Sequence, residues 1–404
     1  MRRTLHTAVA ASPLGLAIAT LAVALLFAIL ASTRARAIER NFAGSAQLDY
    51  FLVPAEPSAP GPRTTYDGFT AEVALKLAVD VSDHLSANVK MCHGCHGFEL
   101  PMAYFDYRVR DELNFRIGRF SPSFGAFNVR HDPANHATSS KPLPYDMGRM
   151  LRMNEWNLGV IPSPFPDNGI EIGGTHWFGD RAQIDYAAYA VSGFKADEGV
   201  PDIEWSHSLS TSGQLADNNG RPAGGARWVL TLKLGEANDV TGGGSVMYGT
   251  YDPANRVAYL IAGVDLSARL GRTQLRFEYL MRRQSFLNDG SMMTPTTTGW
   301  KQPFPVGDIQ VFDKHGAYLE IERAMSDSLT LVARADGLYR VGNEPLTVNL
   351  PTRAAIFRYT GGMTLAVIPG WRVKASAELW AFSDNPPVHQ NLELALHLAL
   401  VGTF

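Results

Sequence analysis

A period of two runs along this chain, and no other feature narrows its fold as far. In the last segment Leu392, Leu394, Leu396, Leu398 and Leu400 alternate with Glu393, Ala395, His397, Ala399 and Val401. The same dyad recurs at Trp228, Leu230, Leu232 and Leu234 around Thr231 and Lys233, and at Leu275, Phe277, Tyr279 and Met281 among Gln274, Arg276, Glu278 and Arg282. Leu329, Leu331, Ala333 and Ala335 against Thr330, Arg334 and Asp336 form a further case. So do Trp371, Val373, Ala375, Ala377 and Leu379 against Arg372, Lys374, Ser376 and Glu378. Successive side chains of a strand point to opposite faces, so each segment carries one apolar and one polar surface. The chain is therefore expected to be all-β.

Alternation fits a soluble sandwich and a membrane barrel alike. Loop lengths separate them. Short turns at Ser82-Asp83-His84, Asp111-Glu112, Gly179-Asp180-Arg181, Gly271-Arg272, Ser326-Asp327-Ser328 and Pro369-Gly370 alternate with long excursions at 53–69, 122–168, 195–225, 285–313 and 341–354. Short turns at one rim and long loops at the other are the habit of outer-membrane barrels. Counting hairpins predicts a transmembrane antiparallel β-barrel of about 16 strands, each of about 9–13 residues, enough for a tilted crossing. Trp177, Phe178, Tyr251, Tyr339, Trp371 and Phe382, near strand ends, are expected in the aromatic girdles at the membrane interfaces.

The first residues read as an address. Arg2 and Arg3 precede an apolar run from Leu14 to Ala31, and Ala35-Arg36-Ala37 offers small residues where a signal peptidase cleaves. Residues 1–37 are expected to be a signal peptide and residues 38–404 the barrel, integral to the outer membrane of a Gram-negative bacterium after export through the periplasm. With 36 basic against 39 acidic side chains, the charge balance excludes a basic nucleic-acid footprint. Two cysteines cannot build a disulfide scaffold. No G-x-S-x-G, H-E-x-x-H or Walker sequence is present, so no catalytic residue is assigned and no enzyme is expected.

In these respects the chain resembles the Gram-negative outer-membrane porins. Its last strand, ending in Phe404, looks like the C-terminal signal of that family, and Phe115-Arg116-Ile117-Gly118-Arg119-Phe120-Ser121-Pro122-Ser123-Phe124-Gly125 is similar to a strand of the phosphate-selective O/P-type porins. The resemblance implies a water-filled channel for diffusion of small hydrophilic solutes and ions, often built as a homotrimer in the lipid of the outer membrane. The excursion 122–168 is too long for a structureless surface loop and, by analogy with porins, is expected to fold into the lumen as a constriction carrying Arg130, His131, Asp132, Arg149 and Arg152. Strand parity places Arg108, Arg110, Arg116, Arg276, Arg334, Arg372 and Lys374 on the pore lining, interspersed with acids, so no selectivity follows.

Both cysteines sit in Cys92-His93-Gly94-Cys95-His96, a C-x-x-C-H motif. The motif is the attachment signature of c-type haem, with Cys92 and Cys95 as thioethers and His96 as axial ligand. A Cys92–Cys95 disulfide and a soft-metal site compete with that reading. With haem c, the barrel becomes a component of an electron-transfer conduit across the outer membrane, and because one haem cannot bridge a ~30 Å layer, cytochrome partners would be required.

Overall fold

A computed structural model describes residues 39–53, 68–94, 97–146, 159–195, 203, 217–287, 294–296, 299–301, 305–342, 355–382 and 392–404. The chain makes β1 (Glu39–Leu52), β2 (Gly68–Asp80), β3 (Leu85–Gly94), β4 (Gly97–Arg110), β5 (Leu113–Phe120), β6 (Asp167–Phe178), β7 (Ala182–Val191), β8 (Ala223–Lys233) and β9 (Asn238–Thr250). It continues with β10 (Ala258–Leu270), β11 (Thr273–Leu287), β12 (Thr294–Thr296), β13 (Gly299–Lys301), β14 (Ile309–Ala324), β15 (Leu329–Gly342), β16 (Ala355–Ile368), β17 (Trp371–Phe382) and β18 (Leu392–Thr403). All but β12 and β13 form one closed antiparallel barrel of 16 strands. Each strand pairs with its neighbour in sequence, except that β11 and β14 pair across the small β12–β13 ribbon.

Closure explains why these strands are stable where they are. An unpaired backbone group in hydrocarbon costs several kcal/mol, so a membrane sheet has to be without edges. Here the two ends of the sheet meet, β1 pairing with β18 from Ser45↔Thr403 to Leu52↔Leu396. At the seam Gly44 and Phe404 exchange both backbone hydrogen bonds, at 2.9 and 3.1 Å. A Cβ on Gly44 would stand 2.4 Å from the Phe404 ring, so only glycine admits that side chain.

The alternation resolves into two surfaces. Leu394, Leu396, Leu398 and Leu400 are exposed on the outside of β18, while Glu393, Ala395, His397 and Ala399 are buried inside. The same holds for Leu319 and Ile321 against Glu320 on β14, and for Leu379 against Glu378 and Trp380 on β17. Phe178, Tyr339 and Trp371 are exposed apolar groups near strand ends, as a girdle requires. Trp177 and Tyr251 correct the expectation. Trp177, one residue before Phe178, shares the inward parity of its partner Gln183 and lies under Lys233 Nζ at 4.6 Å. Tyr251 is buried and donates its hydroxyl to the Ser285 carbonyl at 2.6 Å. Position near a strand end does not choose a face; parity does.

Candidate functional site: the lumen and its loop

After β5 the chain turns into the barrel. Residues 121–146 and 159–166 form no strand; three short 3-10 turns, Asn128–Arg130, Pro133–Asn135 and Leu143–Tyr145, shape the first part. Phe124, Phe127, Leu143, Tyr145, Val160, Ile161 and Phe165 are fully buried in the lumen core. A segment with no ladder of its own must satisfy its backbone elsewhere, and this one does so on the barrel wall.

Glu278 of β11 anchors the first bend. Its carboxylate accepts hydrogen bonds from the amides of Ala126 (2.7 Å) and Phe127 (3.2 Å) and from the hydroxyls of Tyr145 (2.5 Å) and Tyr318 (3.0 Å). Ser123 N donates to Glu171 of β6 at 2.8 Å, and Gly125 N to Ser245 of β9 at 3.0 Å. Across the lumen the polarity reverses, and wall cations donate to loop carbonyls. Lys374 Nζ reaches Pro133 O and Thr138 O at 2.5 and 3.2 Å, and Arg372 reaches Ala134 O at 2.9 Å. Arg334 holds Ser140 Oγ and Thr138 Oγ1 at 2.7 and 2.8 Å, and Arg358 donates to Lys141 O. Ser140 donates to Glu378, and Leu143 N to Asp336 at 3.0 Å. On the third side Asp132 accepts from Ser45 of β1 at 2.9 Å and from Lys90 of β3 at 3.2 Å. The loop thus spans the barrel from wall to wall.

Among the described residues, the cations singled out from the sequence fall into four groups. Arg130, Arg276 and Arg334 converge on Glu320, at 3.6, 3.0 and 3.5 Å. Arg372 and Lys374 hold loop carbonyls, as above. Arg116 lies apart on β5, paired with Asp106 (2.9 Å) and Glu171 (3.2 Å) and stacked 4.6 Å over the Tyr104 ring. Arg108 and Arg110 end β4 beside a short turn, both exposed, with Arg110 3.7 Å from Glu112. Arg149 and Arg152 lie outside the described residues, as do Cys95, His96 and the whole of 1–37.

The charged anchors Arg358, Lys90 and Glu171 were missed in the sequence. Arg358 is buried between Asp336 (3.1 Å), Asp146 (3.6 Å) and Glu378 (3.8 Å), and stacks 4.9 Å over Trp380. Its parity in β16, shared with Thr360, was the available signal, as was that of Lys90 in β3. Such buried ion pairs fix geometry more dependably than they add stability, because desolvation offsets most of their attraction.

Between the loop and the β1–β4 wall a cavity of about 370 Å³ remains, lined by Ser45, Lys76, Lys90, Met102, His131 and Asp132. Burial pushes the Asp132 carboxyl up, but Lys90 and the Ala134 amide outweigh it and hold it below its ordinary value. Burial and then Lys90 hold His131 down at about 3. Burial, Lys374 and Arg130 hold His136 well below the usual imidazole range. One position above Lys90 on the same inner face, Cys92 carries a half-buried free thiol.

No family model matches the chain. An uncharacterised protein of Aquifex aeolicus (strain VF5) is 33% identical over 100 residues, 25% of this chain and 19% of that protein, so the chain matches about a fifth of its relative's length. Solved barrels cover far more of it. OmpF of Salmonella typhi, in complex with daunomycin, matches with a TM-score of 0.55 at 10% identity, over 90% of this chain and 97% of its own. The outer-membrane channel DcaP of Acinetobacter baumannii gives 0.53 at 12% identity, over 92% and 99%. OmpT of Vibrio cholerae in its trimer form gives 0.51 at 9%, over 91% and 100%. At these identities the likeness is one of fold: the chain has the closed 16-stranded architecture of outer-membrane proteins.

Proposed function

We propose that the protein is an outer-membrane porin, passing small hydrophilic solutes and ions by diffusion and narrowed by the loop that crosses its lumen. The observation that carries this reading is the pairing of an apolar outer wall with an inner wall of charges on one closed barrel. A barrel of 16 strands is wide enough to leave an aqueous path unless side chains fill it. The loop divides that width, and among the described residues a cavity beside Lys76 and Lys90 remains on the β1–β4 side. We read the first 37 residues as the export signal and the working assembly as a trimer in outer-membrane lipid. The protein is a passive channel in this reading and catalyses nothing. Purified barrel in a planar lipid bilayer is expected to give stepwise, ohmic currents in simple salt. Folded barrel that inserts and never conducts would overturn the proposal.

The C-x-x-C-H motif supports a second reading, with its first cysteine, Cys92, on the inner face of β3. Cys92 and Cys95 would hold haem c and His96 would be its axial ligand, supplying one-electron redox chemistry; cytochrome partners would then complete a conduit. Haem-stained denaturing electrophoresis with a mass spectrum separates the two: a stained band with the added mass of one haem supports the conduit, and the bare mass removes it.

A further inference from the structure

Loop segment 131–141 lies between two walls, and it presents a histidine to a lysine of each. His131 Nδ1 stands 2.6 Å from the Asn128 carbonyl oxygen, which can only accept, so Nδ1 carries the ring proton. Nε2 is then left with its lone pair toward Lys90 Nζ, 3.4 Å away, and the ammonium donates to it. The same ammonium donates to Asp132, Lys76 lines the shared cavity, and Lys141 acts on the ring from the loop.

Five residues on, His136 is 5% exposed, packed on Phe127 at 5.5 Å, and among the described residues neither ring nitrogen has a hydrogen-bond partner. The charges that bear on it most are cations: Lys374 of β17, Arg334 of β15, and Arg130 and Lys141 of the loop. Arg372, on the same face as Lys374, is committed to Ala134 O. The carboxylates of that wall are occupied. Glu320 takes Arg130, Arg276 and Arg334, Glu322 takes Arg276, and Glu378 takes Arg358, Ser140 and Trp380. Asp49 and Asp132 act on Lys374.

We propose that His131 and His136 form an acid-released latch: a proton added to either ring turns its wall contact into a meeting of cations, and segment 131–141 leaves the β3 and β17 walls. The latch is a property of the loop; only its consequence, a change in conductance, rests on the channel reading.

The sign follows from proton counting. In the seated loop both imidazoles are held below their ordinary value of 6.5, which they regain in a released loop. The seated state binds fewer protons, so seating is fully present above about pH 6.5 and weakens as pH falls below it. Each ring weakens seating about tenfold per pH unit, so ~100-fold at pH 4.5 for one ring and up to ~10⁴-fold for both.

Hydrogen exchange on the full barrel folded in detergent, with rates normalised to intrinsic exchange, reads this at the Leu143 amide, which donates to Asp336 of the wall two residues beyond the segment and loses that bond when the segment leaves. Protection of this amide is expected to fall by up to ~10⁴-fold between pH 7.5 and 4.5. His131→Gln and His136→Gln should each remove about 100-fold of that fall, and the double variant should remove it all. Constant protection in the wild-type barrel overturns the latch, as does a pH dependence that survives in the double variant. The wild-type arm stands even where a variant fails to fold. Single-channel recording at both pH values runs beside it: a barrel that never conducts removes the channel reading and leaves the exchange result to decide the latch.

Discussion

Tyr145 donates its hydroxyl to Glu278 at 2.5 Å, joining a residue of the lumen loop to one of β11 that is 133 positions away in sequence. Glu278 accepts three further hydrogen bonds, two of them from loop amides, and is fully buried. A carboxylate has only acceptors, and here four donors find it. This makes Glu278 the pivot from which the loop's path is set.

Glu278→Gln tests that role. The amide keeps the shape but turns an NH2 toward a backbone N–H that can only donate. Losing a hydrogen bond to a charged group and leaving a buried donor unpaired costs about 3 kcal/mol, or roughly 100-fold in local opening. Exchange at the Ala126 and Phe127 amides should rise by about that factor, while β18 amides such as Leu398 keep their protection. Equal loss of protection in loop and barrel would show that Glu278 supports the whole fold instead.

Gly125 sits under the same cluster. Its φ of 68° lies in the left-handed region, and a Cβ there would stand 2.0 Å from the Tyr145 hydroxyl and 2.8 Å from Glu278 Oε1. Gly125→Ala should therefore cost the loop about 1–3 kcal/mol from backbone strain and displaced hydrogen bonds. Conductance recorded in a bilayer is expected to become noisier and larger on average. A trace identical to that of the wild type would mean that the loop does not limit flow.

How far these sites were legible from sequence depends on the range of the interaction that makes them. The Leu392–Leu400 alternation and the turn–loop rhythm are local, and both the barrel and its 16 strands follow from them. Where the alternation weakens, boundaries move: β1 begins at Glu39, ahead of the alternating stretch, and β14 reaches back to Ile309 inside what reads as loop. The excursion 122–168 announces itself by length and charge. Its partners do not, because Asp132 meets Lys90 and Ala126 meets Glu278 through closure of the barrel, which no local pattern encodes. Parity put Arg276 and Arg334 on the inner face; only the folded loop shows that they share Glu320 with Arg130.

Lys76 offers a test of the open path. It is exposed on the inner face of β2 and lines the cavity beside the loop. Lys76→Glu changes the local charge by two units. At ~8 Å in water-like dielectric that is worth about 1 kcal/mol to a passing monovalent ion, roughly fivefold in relative permeability. The reversal potential in a salt gradient should move toward cation preference, and less so at high salt. An unmoved reversal potential would place the path elsewhere in the lumen.

The seam makes the last prediction. Phe404 packs 5.9 Å from Phe42 and covers Gly44, whose missing side chain is what lets the ring lie down. Gly44→Leu would push the ring off and separate the backbone pair that Gly44 and Phe404 form at the end of the β1–β18 ladder. Because an open edge in lipid leaves backbone groups unpaired at several kcal/mol each, even a short opening is expensive. The variant should refold slowly and in low yield, seen as loss of the heat-modifiable band in electrophoresis. Gly44→Leu combined with Phe404→Ala should regain much of that yield, since the clash is removed with the ring. If the double variant folds no better than Gly44→Leu alone, the clash is not what limits closure, and the seam depends on the aromatic ring itself.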